Sequence, residues 1–313
     1  PIGYRPGMPP TDLNALDLQR LFTTLVEGPS FDSFLELVLH EDLDEAGDLT
    51  TNAMVDPSRV VDAAVVSRST GVLAGIPALD HLLRRHAARL SWWWQAEDGD
   101  RVEPSDVVCR ISGPLAVLLP VERVMLNLLG RLSGVATRTA EHVQAVSGTG
   151  VLVCDTRKTT PGLRTLEKYA VRCGGGHLHR IGLFDAMLVK DNHVGDLDPD
   201  RLAARVAEAA GAVRDATAVR FVEVEVDDLD QLDALLALPE GVVDIILLDN
   251  MPPDVLAQAV RRRDREAPRV KLEASGGIGL DRLPAIAASG VDRVSVGGLT
   301  HSAVQLDFGL DLL

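Results

Sequence analysis

The sequence predicts an N-terminal α+β domain (31–147) followed by an α/β barrel domain (148–313), closed or incomplete. Three observations carry this. Strands and helices before residue 147 mix without regular alternation, the pattern of an α+β domain. After Gly150, short apolar strands alternate with helices, which means βα units and a parallel sheet. Six such units in succession point to a barrel. A doubly wound open sheet is the alternative. It would want a Gly-rich fingerprint after its first strand, and Cys154-Asp155-Thr156-Arg157-Lys158 is not one.

Residues 1–12 are rich in Pro and Gly and are expected to be loose, within an N-terminal extension over 1–30. Apolar residues at Leu13, Leu16, Leu21 and Leu25 predict an amphipathic helix to Val26, with a second over Phe31–Leu39. Strands are expected at Val60–Ser67, Leu90–Gln95 and Val107–Ile111. A helix over Ala78–Ala88 and a turn at Glu97–Asp100 lie between them. A long helix follows from Val121 to Val146. The barrel strands are Val151–Cys154, Met187–Val189, Phe221–Val226, Asp244–Leu248, Val270–Ala274 and Arg293–Val296. Their helices cover Pro161–Arg172, Arg201–Ala210, Leu229–Leu238, Asp254–Arg263 and Leu280–Ala288. A last strand near Val304–Phe308 either makes a seventh barrel strand or returns to the N-terminal domain.

The chain has 313 residues, 46% of them hydrophobic and only 4% aromatic, so its core must be built from Leu, Val, Ala and Ile. A net charge of −15 argues against a nucleic-acid partner, which needs a basic face. Three cysteines without a CxxC suggest neither a disulfide framework nor a zinc ribbon. No apolar run approaches bilayer length, and Pro1–Pro10 lacks the layout of a signal peptide. A cytoplasmic protein is the expectation.

Against that acidic background, one segment is basic. From Asp155 to His193 there are seven Lys or Arg against four acids, or +3, so the remainder carries −18. Barrel active sites lie at the C-terminal ends of the strands. Arg157, Lys158, Arg180 and Lys190 flank strands there, and a cationic mouth suits a small polyanion. Arg164, Lys168 and Arg172 are expected on a solvated helix face. Glu225 and Asp249 end neighbouring strands, where they can hold sugar hydroxyls or a divalent cation. Ser275-Gly276-Gly277 and Val296-Gly297-Gly298 are Gly-rich turns whose N–H groups can cradle a phosphate.

These residues resemble the quinolinate phosphoribosyltransferase family, the carboxylating nicotinate-nucleotide pyrophosphorylases. The matching segments include EDLDEAGDLTT (41–51), NLLGRLSGVAT (127–137), DTRKTTPGLRTLEKYAVRCGGGHLHRIGLFDAMLVKDNH (155–193), LLDNM (247–251), LEASGGI (272–278) and SVGGLTHS (295–302). The resemblance implies an N-terminal α/β sandwich followed by an incomplete, seven-stranded α/β barrel. It implies transfer of phosphoribosyl from phosphoribosyl pyrophosphate to quinolinate with loss of CO2, giving nicotinate mononucleotide. It also implies Mg2+ and a homodimer, or a hexamer of dimers, with shared active sites. Arg123 corresponds to an arginine lent across that interface. Arg157, His179, Arg180 and Lys190 correspond to residues around the quinolinate carboxylates, and Lys158 to the lysine reaching the donor. Glu225 and Asp249 correspond to carboxylates on the ribose and the magnesium-bound donor. Ser275, Gly276, Gly297 and His301 correspond to the phosphate side of the site. Leu178 departs from the family, which usually has Asn before the His-Arg pair.

Other readings compete. Lys190 at a strand end could form a Schiff base in a barrel aldolase, but Arg157, Lys158 and Arg180 crowd the same mouth. His177, His179 and His193 could bind zinc, although Arg180 and Lys190 would repel it. A paralogous enzyme of the same scaffold, with another substrate, is a further alternative.

Overall fold

The computed structural model describes residues 11–195 and 197–313, so the stretch expected to be loose falls outside it except for Thr11 and Asp12. The expected helix from Leu13 to Val26 is instead a 3-10 turn, Leu13–Ala15, followed by α1, Leu18–Leu25. Asp17 makes the break: its side chain accepts the N–H of Arg20 and caps a fresh helix start. Helix α2 (Ser30–Leu43) buries Phe31, Leu35 and Leu39, four residues apart on one face. A short helix, α3 (Leu49–Met54), is capped by Asp48 and spans too few residues for its period to show in the sequence.

The N-terminal domain is built on strands β1 (Val60–Ser67), β3 (Ser91–Trp94) and β5 (Val107–Pro114). A small ribbon of β2 (Gly71–Val72) and β4 (Arg101–Val102), with helix α4 (Ile76–His86), fills in between. Helix α5 (Leu115–Ala145) begins six residues before the expected Val121, and Pro120 lies inside it. One absent N–H near the first turn is a small loss in a helix of 31 residues that buries so much apolar surface.

Six parallel strands follow: β6 (Leu152–Cys154), β7 (Met187–Val189), β8 (Val222–Val226), β9 (Ile245–Asp249), β10 (Lys271–Ser275) and β11 (Arg293–Ser295). Between them run α6 (Arg164–Cys173), α7 (Asp191–Val194), α8 (Pro199–Ala216), α9 (Leu229–Leu236), α10 (Pro253–Glu266), α11 (Leu283–Ala287) and, after β11, α12 (Gly298–His301). Their order is β6-β11-β10-β9-β8-β7, so the curved sheet has β6 and β7 as its outer strands. A seventh position exists, but only as a stub: Cys154 and His177 form one parallel bridge, with His177 N–H donating to Val153 at 2.8 Å. The barrel is therefore incomplete between the 177 segment and β7.

The expected seventh barrel strand near Val304–Phe308 does not form. That segment crosses α5, and the chain then pairs β12 (Phe308–Leu312) antiparallel with β1, giving a sheet ordered β12-β1-β5-β3. Two glycines allow the crossing. A side chain at Gly134 would stand 2.0 Å from the carbonyl of Val304, and one at Gly130 2.6 Å from that of Leu306. The result is a sandwich-like α/β domain, closed by the end of the chain, attached to an incomplete barrel.

Candidate active site

The C-terminal ends of the barrel strands open into one cavity of about 840 Å3. After β6 come Arg157 and Lys158, from the 177 segment His179 and Arg180, and after β7 Lys190. Strands β8 and β9 bring Glu225 and Asp249, β10 brings Ser275 and Gly276, and β11 leads to Gly297 and His301. The fold thus gathers every expected site residue of the barrel in one place. Arg123 is the exception. It sits on α5, in its third turn rather than opening it, largely exposed and loosely paired with Glu122 at 3.9 Å, and it does not line this cavity.

Three of the four acids of the basic segment are taken up internally. Asp155 accepts from Lys168 Nζ at 2.6 Å, and both side chains are wholly buried. Glu167 pairs with Arg131, and Asp185 with Arg220. The solvated face expected for Arg164, Lys168 and Arg172 is therefore corrected. Helix α6 lies between α5 and α1, which buries Lys168, while Arg172 donates to the carbonyls of Gly176 and Asn14. Arg164 donates to the Thr159 hydroxyl. Burial raises the pKa of Asp155 and lowers that of Lys168, and the attraction between them opposes both shifts.

Arg157, Arg180 and Lys158 face the cavity without carboxylate partners. Arg157 has a buried Nε that donates to nothing. Burial, and then the like charge of Arg157, depress the pKa of the buried Arg180. An anion between them satisfies both. Lys158 is exposed to the cavity and bridges to no acid. Lys190, by contrast, pairs closely with Glu225. Burial raises the Glu225 pKa, Lys190 lowers it, and the nearby charge of Asp249 raises it again.

His179 is fixed from beneath. Strand alternation puts Glu223 and Glu225 on the same inner face of β8, one layer apart. Glu223 lies 2.8 Å from His179 Nε2, and Glu273 lies 3.5 Å from it. Arg293 holds Glu273 at 2.7 Å. Burial pushes the His179 pKa down, but the two carboxylates outweigh it and raise it to about 9. The Arg180 N–H, 2.8 Å from Nδ1, favours the neutral ring and works against them. Among the described residues, His179, Glu223 and Glu273 are the only three close enough to share a metal. Arg293 against Glu273 makes that group a charge-balanced network rather than a cation site. The other two histidines of the zinc reading do not join it: His193 accepts the Lys190 N–H, and neither His177 nor His193 lines the cavity.

The segment carrying His179 and Arg180 is also braced from the extension. The Asn14 amide accepts from the Leu178 N–H at 2.7 Å and donates to its carbonyl at 3.1 Å. On the opposite wall, Gly276 has φ +99 and approaches Asn250 so closely that an added side chain would meet it at 2.1 Å. Only glycine fits that turn. At Gly297 a side chain would meet Lys158 at 2.8 Å and His301 at 3.2 Å.

The sequence reading missed Arg138, which also lines the cavity from α5. A signal was present: Arg131 and Arg138, seven apart, share a helix face, and Arg131 bonds to the carbonyls of Thr300 and Ala303 at the barrel mouth.

Comparisons with known proteins agree with this architecture. The model of the quinolinate phosphoribosyl transferase N-terminal domain matches residues 48–133, and that of the C-terminal domain matches residues 135–311. A nicotinate-nucleotide pyrophosphorylase [carboxylating] of Mycobacterium leprae is 46% identical over 279 residues, 88% of this chain and 94% of the relative. The Homo sapiens protein of the same name is 39% identical over 83% of this chain and 85% of its own length. The solved nicotinate-nucleotide pyrophosphorylase of Francisella tularensis superposes with a TM-score of 0.82 at 31% identity, covering 97% of this chain and 99% of that one. The chain belongs to the quinolinate phosphoribosyltransferase family.

Proposed function

We propose that this protein transfers phosphoribosyl from phosphoribosyl pyrophosphate to the ring nitrogen of quinolinate, releasing pyrophosphate and CO2 and forming nicotinate mononucleotide. This makes it a phosphoribosyltransferase of NAD biosynthesis, in keeping with relatives named nicotinate-nucleotide pyrophosphorylase [carboxylating]. The observation that carries the reading is the pair Arg157 and Arg180, two guanidiniums without carboxylate partners in a cavity that also holds Lys158, Glu225, Asp249 and two glycine turns. A pyridine dicarboxylate is the anion that this pair, with His179 beside it, is built to receive.

The residues divide the work. Arg157, Arg180 and His179 hold the two carboxylates and orient the ring nitrogen towards the sugar. Cleavage of the anomeric C–O bond leaves positive charge on the ribose and negative charge on the departing pyrophosphate. Glu225 and Asp249 stabilise the first and Lys158 the second. The ribosylated nitrogen is cationic and draws electrons from the adjacent carbon, so the neighbouring carboxylate leaves as CO2 and the electron pair it leaves on that carbon takes up a proton. No side-chain nucleophile is needed; positioning and electrostatics suffice.

Mg2+ fits the same wall. Glu225 and Asp249 are hard oxygen donors close enough for each to feel the other's charge, and a donor-bound magnesium offsets that repulsion. When bound, it supplies charge neutralisation to the pyrophosphate. We further propose a homodimer, or a hexamer of dimers, in which Arg123 completes the partner's cavity. Its exposure and its absence from its own chain's cavity lining support this. The three unpaired, buried cysteines fit a reducing cytoplasm.

The test is product formation from quinolinate, phosphoribosyl pyrophosphate and Mg2+, with nicotinate run in parallel. Quinolinate should be turned over far better than nicotinate, since one carboxylate leaves part of the cationic set unsatisfied. Equal rates, or turnover of nicotinate only, would overturn the reading.

A further inference from the structure

Arg138 is the one cation of the cavity that the family comparison leaves without a role. It lies in the C-terminal third of α5, and its guanidinium reaches over the Gly297–Gly298 turn. A side chain built at Gly298 would meet Nη2 at 3.5 Å and Nε at 3.8 Å. Its Nε is buried and donates to nothing. No carboxylate among the described residues pairs with it, whereas Arg131, one face-repeat earlier, is fully engaged by Glu167 and two carbonyls. A buried guanidinium nitrogen left without an acceptor costs stability unless a ligand supplies one.

The neighbours define the ligand. Lys158 and His301 meet at Gly297, and the His301 ring is oriented by Ser302, whose hydroxyl lies 2.8 Å from Nδ1. Of the acids lining the cavity, Glu273 is held by Arg293, and Glu225 and Asp249 lie on β8 and β9, with β10 between them and β11, which Gly297 follows. Three donors and a close backbone turn, apart from the carboxylates, suit a phosphate monoester.

We propose that Arg138 is a phosphate-binding residue, donating to the 5′-phosphate of the phosphoribosyl group as it rests on the Gly297–Gly298 turn. This rests on the phosphoribosyl transfer proposed above. Arg138 adds a planar, two-pronged contact that the point charge of Lys158 does not give.

The test is calorimetric titration of the intact protein with ribose 5-phosphate and with ribose, beside steady-state kinetics in both substrates, for wild type, Arg138→Gln and Arg138→Lys. Ribose 5-phosphate affinity should fall on the order of 10-fold or more in Arg138→Gln, the size expected for a lost charge-assisted contact, with partial recovery in Arg138→Lys. The KM for phosphoribosyl pyrophosphate should rise in step while that for quinolinate holds. A partly unfolded variant lowers the number of active sites and leaves KM alone, so the pattern separates binding from folding. Unchanged affinity for ribose 5-phosphate in Arg138→Gln, or an equal rise in both KM values, would overturn the assignment. If wild type binds ribose 5-phosphate but does not turn over quinolinate, the phosphoribosyl-transfer reading fails, and the titration still decides Arg138.

Discussion

His179 Nε2 stands 2.8 Å from a carboxylate oxygen of Glu223, and the two side chains are 6% and 0% exposed. The pair sets the proton affinity of a residue that lines the cavity. The two carboxylates raise its pKa to about 9, so His179 holds a proton more tightly than a free imidazole does. Because the folded value lies above the unfolded one of about 6.5, this contribution to stability is full below that pH and is lost as pH rises through 9. Glu223→Gln removes the nearer carboxylate and should lower the His179 pKa by about 1–3 units. The check is imidazole NMR together with the pH profile of the quinolinate KM. Both should shift to lower pH, and an unmoved alkaline limb would mean that Glu223 does not control His179.

Lys158→Ala should lower turnover on the order of 100-fold or more, the size seen when one preorganised electrostatic partner of a transition state is removed. Its thermal midpoint should stay close to that of wild type, since Lys158 is exposed and bridges to no acid. Near wild-type kcat would refute its place beside the leaving group.

Lys168→Met tests a residue buried where the sequence suggested solvent. It leaves Asp155 enclosed without its counter-ion, which typically costs about 3–5 kcal/mol. Denaturant unfolding should show that loss. The double variant Lys168→Met, Asp155→Asn should recover much of it, because the buried charge is then gone.

Arg123→Ala and Lys190→Ala should each be nearly inactive alone. Mixed and re-equilibrated at equal amounts, they should regain activity at up to about a quarter of the sites, because half of random dimers are mixed and each holds one intact site. No recovery, with subunit exchange verified by mass spectrometry, would place Arg123 in its own chain's site or in none.

Features that depend on local pattern could be read before the structure. The two-residue and 3.6-residue periods gave the six barrel strands and most helices. The strand-end rule then gave Arg157, Lys158, Arg180, Lys190, Glu225 and Asp249, all of which line the cavity. What could not be read depends on neighbours distant in sequence. Lys168 has the spacing of a surface lysine, and only the burial of α6 between α5 and α1 shows otherwise. Glu223 and Glu225 look alike along β8, yet one meets His179 in the interior and the other meets Lys190 at the mouth. The Asn14 contact joins positions 164 residues apart.

The return of β12 to β1 bears on the order in which the protein can be made. Ala63 pairs with Leu312, so the first strand waits for a strand that follows the whole barrel in sequence. A ribosome releases the barrel before the N-terminal sheet can gain its outer strand. Until then β1 presents an open edge, a template for pairing with other nascent chains. Loss of Phe308–Leu312 therefore strikes the N-terminal sheet, leaving the cavity's strands in place while exposing the domain that precedes them.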